Sequence, residues 1–151
     1  MDIKSGNGYP SSALSNFAGH RFILDDVQCN SMEGFLQSLK FSNEEMQKHV
    51  CTLIGREAKY KGKHKNWWTN QTLYWKGKEY KRKSEEYQNL LDRAYQAMYD
   101  QSEKFRKALK ATKNATITHS IGKSDPTRTI LTEKEFCSRL FALREFGSLI
   151  D

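Results

Sequence analysis

The stretch Ser31-Met32-Glu33-Gly34-Phe35-Leu36-Gln37-Ser38-Leu39-Lys40-Phe41, entered shortly after Leu14-Ser15-Asn16-Phe17, decides how this chain is read. Met32, Phe35, Leu36 and Leu39 recur at i, i+3, i+4 and i+7, which at about 100° per residue makes one apolar face of a helix. Glu33, Gln37 and Lys40 share that spacing roughly a third of a turn away, so an acid, an amide and a base run beside the core-facing stripe. A polar row in that position lies at the edge of the core, where pockets form. The plain alternative is a solvated Glu/Gln/Lys face with weak i,i+4 neighbours.

Working outward, Ser31 is placed to cap this helix. Before it, Arg21-Phe22-Ile23-Leu24 and Val27-Gln28-Cys29 read as two short strands about the acidic turn Asp25-Asp26. Gly6, Gly8 and Pro10 mark an irregular lead-in that continues through Ser11-Ser12 to Leu14. After the motif helix, Ser42-Asn43-Glu44-Glu45 has capping-box spacing for a short helix through Met46 and Val50, and a further helical piece ends at Gly62. Thr72 to Tyr80 reads as an aromatic hairpin turning at Lys76-Gly77. Ser84 to Tyr99 carries Tyr87, Leu90, Leu91, Ala94, Tyr95 and Met98 at helical spacing, and the pattern resumes at Phe105, Ala108 and Leu109 after an interruption at Asp100-Gln101-Ser102. Thr132 and Glu135 make a T-x-x-E box for the final helix, with Leu131 and Phe136 as its hydrophobic staple. The expectation is one α+β domain over 1–151, dominated by about five or six helices, with two short β-hairpins.

A length of 151 residues suits one core rather than two. The formal net charge of +7 favours an anionic partner, a phosphorylated nucleotide or a nucleic acid. Cys29, Cys51 and Cys137 are odd in number, far apart and without C-x-x-C spacing, which argues against a disulfide framework or zinc site and fits a reducing cytosol, that of the host if the chain is viral. No apolar run approaches the length of a membrane span, and no apolar leader opens the sequence, so a membrane partner is not expected. No Walker lysine motif, H-E-x-x-H or EF-hand loop stands out.

Leu14-Ser15-Asn16-Phe17, the strand pair, and Ser31-x-Glu33-x-x-x-Gln37-x-x-Lys40-Phe41 together resemble the opening of the NADAR, or YbiA-like, family. That pattern runs L-S-N-F, a strand pair, then S-x-E-x-x-x-Q-x-x-K-F, and Asn16, Phe17, Glu33, Gln37, Lys40 and Phe41 fall on its marked positions. Ala58-Lys59-Tyr60-Lys61-Gly62-Lys63 resembles the family's A-x-x-x-G-R step, Lys104-Phe105 its second K-F, and Leu140-Phe141-Ala142-Leu143-Arg144 its closing L-M-x-x-R helix. Agreement is strong over the first 63 residues and looser beyond. The last third departs from the pattern: Thr118 stands where the family has Glu, and no Trp-Gly follows Asp125.

The resemblance implies a YbiA-like fold and an N-glycosidase-like hydrolase acting on an ADP-ribosyl or ribosyl-phosphate compound, in some members removing ADP-ribose from guanine, with no metal or redox cofactor. Cleavage of a ribose C1–N bond passes through an oxocarbenium-like state, so it needs a carboxylate near C1 and an acid for the departing base. Glu33 is the first candidate for that carboxylate. Gln37 would orient ribose hydroxyls or water, while Lys40 has three open roles: pairing with Glu33, holding phosphate, or protonating the leaving group. Asn16 and Phe17 suit a sugar or base edge and a stacked base, against plain turn and core roles. His119, Asp125 and Arg128 form a polar cluster ahead of the final helix that offers a proton shuttle, a second carboxylate and a phosphate contact, or simply a structural histidine and surface charges. Cys29 reads either as a reactive thiol or as a buried free cysteine.

From Arg56 to Lys83 the chain holds ten Lys/Arg against two acids, Glu57 and Glu79, interleaved with Tyr60, Trp67, Trp68, Tyr74, Trp75 and Tyr80. That mixture suits an ADP-ribosylated nucleic acid as substrate, or else is a solvated face over core tryptophans. Two other classes compete with the hydrolase: a non-catalytic module binding ADP-ribose or modified nucleic acid, and a basic nucleic-acid-binding protein using the Arg56–Lys83 surface alone.

Overall fold

The computed structural model describes residues 1–149. In chain order the elements are α1 (Ser11–Leu14), β1 (Gly19–Leu24), β2 (Val27–Ser31), α2 (Met32–Ser38), α3 (Glu44–Cys51), α4 (Gly55–Gly62), a 3-10 turn (Trp67–Thr69), β3 (Thr72–Trp75), β4 (Lys78–Lys81), α5 (Glu85–Gln101), α6 (Glu103–Ala111) and α7 (Glu133–Phe146). The architecture is a helix-dominated α+β domain with two separate two-stranded antiparallel sheets. Among the described residues there are seven α-helices: six answer to the periodicities above, and the seventh, α1, is a single turn where an irregular lead-in was expected.

Turn chemistry makes both hairpins. Asp25 and Asp26 take φ of 48° and 67°, and Lys76 and Gly77 take 49° and 83°. Positive φ at both central residues is the twist that two-residue hairpins require. The two hairpins are tied together through the first turn, because Trp75 Nε1 donates to Asp25 Oδ2 at 2.8 Å and Arg93 of α5 pairs with the same carboxylate at 2.9 Å.

The α2 stripe is the centre of the core. Met32, Phe35, Leu36 and Leu39 are all buried. Phe35 lies edge-on to Phe22 of β1 and Trp75 of β3, with ring centroids 6.4 and 5.0 Å away. Ser31 caps α2 as expected, its hydroxyl accepting from Gly34 N at 3.0 Å. Gly34 is where α3 comes closest: a Cβ there would sit 2.6 Å from the Leu53 carbonyl oxygen. Regular helix stops at Ser38, short of Lys40, and the Lys40 and Phe41 amides close tighter i→i+3 bonds. The Leu39 carbonyl goes instead to Tyr74 N of β3 at 2.8 Å, so the hairpin is docked on the helix end.

α3 begins one residue later than the S-x-x-E spacing predicts. Asn43, not Ser42, is the cap, with Oδ1 accepting from Met46 N at 2.8 Å. The long apolar pattern breaks where expected. Ser102 ends α5 and caps α6 through its hydroxyl, and its Oγ also lies 2.8 Å from Nδ1 of the buried His20. α7 starts on the complete Thr132–Glu135 capping box. Among the described residues, no helix is long and apolar enough to cross a membrane.

Candidate functional site

Glu33, Gln37 and Lys40 do not form a solvated face. They line one wall of a cavity of about 290 Å³. Ser15, Asn16 and Phe17, between α1 and β1, form the second wall, and Lys59 of α4 with Trp67 the third. The loop from His119 to Leu131, together with Phe136 of α7, closes it. Seven of the eight residues nominated from sequence therefore meet in one place: Asn16, Phe17, Glu33, Gln37, Lys40, His119 and Arg128. Asp125 does not line the cavity. Its carboxylate accepts from the backbone N and the hydroxyl of Thr127, at 2.9 and 2.8 Å, so it shapes the turn that carries Arg128.

Glu33 is the one acid among the described lining residues. Its backbone N–H is taken by the Asn16 carbonyl at 2.9 Å, which fixes the Asn16 wall against the start of α2. Its carboxylate accepts from Gln37 Nε2 at 2.7 Å. Burial raises the Glu33 pKa, opposed by the Gln37 hydrogen bond and by the positive charges of Lys59 and Lys40. Burial lowers the Lys40 pKa to about 8; Glu33 pulls it back up while Lys59 and Lys123 push it further down. Acid and base are thus displaced toward each other, a direction that suits groups with complementary proton roles.

Surrounding contacts set the remaining orientations. Asn16 Oδ1 accepts from the buried Tyr95 hydroxyl at 2.7 Å, which leaves the Asn16 amide hydrogens for a ligand. Nδ1 of His119 lies 2.7 Å from the Ile3 carbonyl. A carbonyl only accepts, so Nδ1 carries a proton and Nε2 is the nitrogen turned to other partners. The ring is braced edge-on by Phe136 at 5.0 Å. Phe17 is half-buried, with Lys59 Nζ 5.9 Å from its ring centroid, so it stands at the cavity and not in the core. The first turn of α7 anchors the closing loop, Glu133 N donating to the Lys123 carbonyl at 2.9 Å.

Gly62 permits the Glu33–Gln37 contact. A Cβ on Gly62 would lie 2.0 Å from Gln37 Oε1, and Lys40 Nζ reaches the Gly62 carbonyl at 3.3 Å. Gly62→Ala is therefore expected to push the Gln37 amide off Glu33 and to cost about 1–3 kcal/mol in thermal unfolding, the usual range for an overpacked site. An unchanged melting curve would mean that α4 yields and the amide stays in place.

Sequence reasoning missed Lys59, Trp67 and Lys123 as individual lining residues. The dense Arg56–Lys83 segment divides: Trp67 is at the cavity, Trp75 and Tyr80 are buried in the core, and Arg82 is a buried ion-pair partner, while Tyr60 and Trp68 are exposed. Cys29 and Cys51 are buried free cysteines and Cys137 is partly exposed.

A helix-dominated α+β domain with one partly buried carboxylate in a lysine-rimmed cavity defines the class. Its fold is that of the NMR structure of the E. coli protein YbiA, with a TM-score of 0.63 over 96% of this chain and 82% of that one, at 17% sequence identity. The fold implied by the NADAR resemblance is thus the fold found. The family model for bacteriophage protein GP30.3 matches residues 8–145, and the 17.1 kDa protein of the Gp30–rIII intergenic region of Enterobacteria phage T4 is 38% identical over 148 residues, 96% of this chain and 97% of the relative. The chain belongs to the bacteriophage GP30.3 family.

Proposed function

We propose that the cavity hydrolyses a ribose C1–N bond in an ADP-ribosyl or phosphoribosyl compound. The observation that carries this reading is Glu33: a single hydrogen-bonded carboxylate in a cavity that also holds Lys40, Lys59, Lys123 and Arg128. A negative oxygen suits the cationic sugar carbon, and Lys59, Lys123 and Arg128 suit the phosphates of the same substrate, which leaves Lys40 for the departing base. The activity implied by the NADAR resemblance requires this pairing.

In the proposed step Glu33 takes a proton from water as the water oxygen bonds to C1. The C1–N bond breaks with its electron pair going to nitrogen, and the Lys40 ammonium supplies the proton that nitrogen needs. The products are a ribose with a free C1 hydroxyl and the neutral base. Gln37 holds Glu33, Asn16 addresses the ribose hydroxyls, and Phe17 and Trp67 flank the base.

This assignment fixes the pH dependence. Glu33 acts ionised, so kcat/KM falls as pH drops through its raised pKa; Lys40 acts protonated, so the rate falls again as pH rises through about 8. A bell is expected, and Lys40→Arg should lower the rate and abolish the alkaline limb, because a guanidinium stays protonated and does not give up its proton. A flat alkaline side in the wild type would remove Lys40 as the acid.

The identifying experiment incubates the protein with ADP-ribosylated guanine in DNA, NAD, ADP-ribose and a ribosylaminopyrimidine phosphate in ¹⁸O-water, with products resolved by mass spectrometry. One substrate should lose its base and gain one heavy oxygen at C1. The placement of Asp125 in a turn and of Thr118 at the family's Glu position favours, as a second reading, a pocket that binds without turnover. Calorimetric binding with no product from any substrate would select it.

A further inference from the structure

We propose that the outward face of α4 and the turn after it dock single-stranded nucleic acid beside the mouth of the cavity. Arg56, Lys59, Tyr60 and Lys63 fall within about a third of the helix circumference, and Ala58 and Gly62 are buried on the opposite side. The stripe therefore faces away from the core, with Lys59 at its edge beside the cavity.

The charges there lack ion-pair partners, although Lys59 and Lys65 lie over the rings of Phe17 and Phe41, at 5.9 and 4.9 Å. Among the described residues, no carboxylate lies within ion-pair distance of Arg56, Lys59, Lys61, Lys63 or Lys65, whereas Lys4, Lys48, Arg93 and Lys107 each have one. Tyr60 is 70% exposed and Trp68 48% exposed. His64 stands edge-on to Tyr60 at 6.2 Å and 85°. Cations without a carboxylate partner suit phosphates, and exposed rings among them suit unpaired bases, since in a duplex both faces of each base are already stacked. An acidic peptide would use the lysines and leave the rings idle.

The surface is continuous with the cavity at two points. Lys59 belongs to the stripe and to the cavity lining, and Trp67, which lines the cavity, immediately precedes the exposed Trp68. A strand laid along α4 would pass the opening. This docking does not depend on the reaction proposed above.

The test is fluorescence anisotropy with a labelled oligo(dT) of about 12 nucleotides, within the span covered by small single-strand binding surfaces. If about four phosphates are neutralised, affinity should weaken about 50-fold between about 50 mM and about 200 mM salt. Tyr60→Ala should weaken it by about 5- to 100-fold at fixed salt. Replacing Arg56 and Lys63 together by Ser should reduce the log–log salt slope by about 1.4. Glu33→Gln should bind as the wild type does, whether or not any hydrolysis is found, which separates this surface from the cavity chemistry. No binding at low salt, equal binding of the matching duplex or of polyglutamate, or indifference to Tyr60→Ala would each overturn the proposal.

Discussion

Glu33→Gln is expected to lower turnover by about 10²–10⁴-fold, the usual range for removing a positioned acid or base, with no loss of thermal stability. Folding should survive because the carboxamide keeps an oxygen for Gln37 Nε2, and the backbone bond from Glu33 N to the Asn16 carbonyl is untouched. Stability at neutral pH should even rise. Burial raises the folded-state pKa of this acid, so holding it ionised costs folding free energy above that pKa, and the cost disappears as pH falls and the group takes its proton. The variant removes that cost at every pH. Turnover and melting temperature moving in opposite directions would mark Glu33 as retained for chemistry at the expense of stability. A wild-type rate from the variant on a verified substrate would dismiss Glu33 from the mechanism, and a collapse in melting temperature would reassign it to structure.

Glu135→Ala is expected to destabilise the fold by about 3–5 kcal/mol, because it strands a buried guanidinium. Arg82 is 1% exposed, and both ends of its guanidinium meet the Glu135 carboxylate, at 2.6 and 3.1 Å. Glu135 also accepts from Gln88 at 2.6 Å and from Thr132 N at 2.7 Å, while Arg82 Nε holds the Thr129 carbonyl at 2.9 Å. One pair thus joins β4, α5, the start of α7 and a loop that lines the cavity. For a domain of this size the melting temperature should fall by about 6–20 °C. The acid side follows with a definite sign. Burial would raise the Glu135 pKa, but the Arg82, Thr132 and Gln88 hydrogen bonds and the Arg82 charge outweigh it and leave the pKa lowered. A lowered folded pKa stabilises above the unfolded value, and that stability is lost as pH falls through the folded one. Glu135→Gln should therefore flatten the acid limb of the stability profile relative to wild type. Equal acid limbs in urea titrations would mean the pair adds nothing beyond its packing.

What could be read locally was legible. Ser31 and Thr132 sit directly before helical periodicity and act as caps, and Asp25-Asp26 and Lys76-Gly77 are turns that two central residues determine. Ser42 misled because Asn43 beside it is an equally good cap, and the choice lies with tertiary packing that neighbouring residues do not encode. Glu33, Gln37 and Lys40 could be found because one helix repeat and the tight turn after it present all three. Lys59, Trp67 and Lys123 could not, since each comes from a different segment and only the folded chain brings them to the same opening. A usable hint did exist for Lys59, which borders the buried Ala58–Gly62 side of its helix.

The wall that holds His119 is joined across almost the entire polypeptide. Ile3 N bonds to the Thr118 carbonyl at 2.8 Å, and the Ile3 carbonyl, 116 positions away in sequence from His119, holds that ring. Closing so long a loop costs entropy, so this seam is expected to form after α2, α5 and the hairpins have met. By the same reasoning it is expected to open before the core does, which hydrogen exchange at the Ile3 and Thr118 amides would check. Amide exchange should reveal a molecule whose histidine gate unzips at the amino terminus while the carboxylate beneath it stays in place, giving a bulky ligand a way in and out without global unfolding.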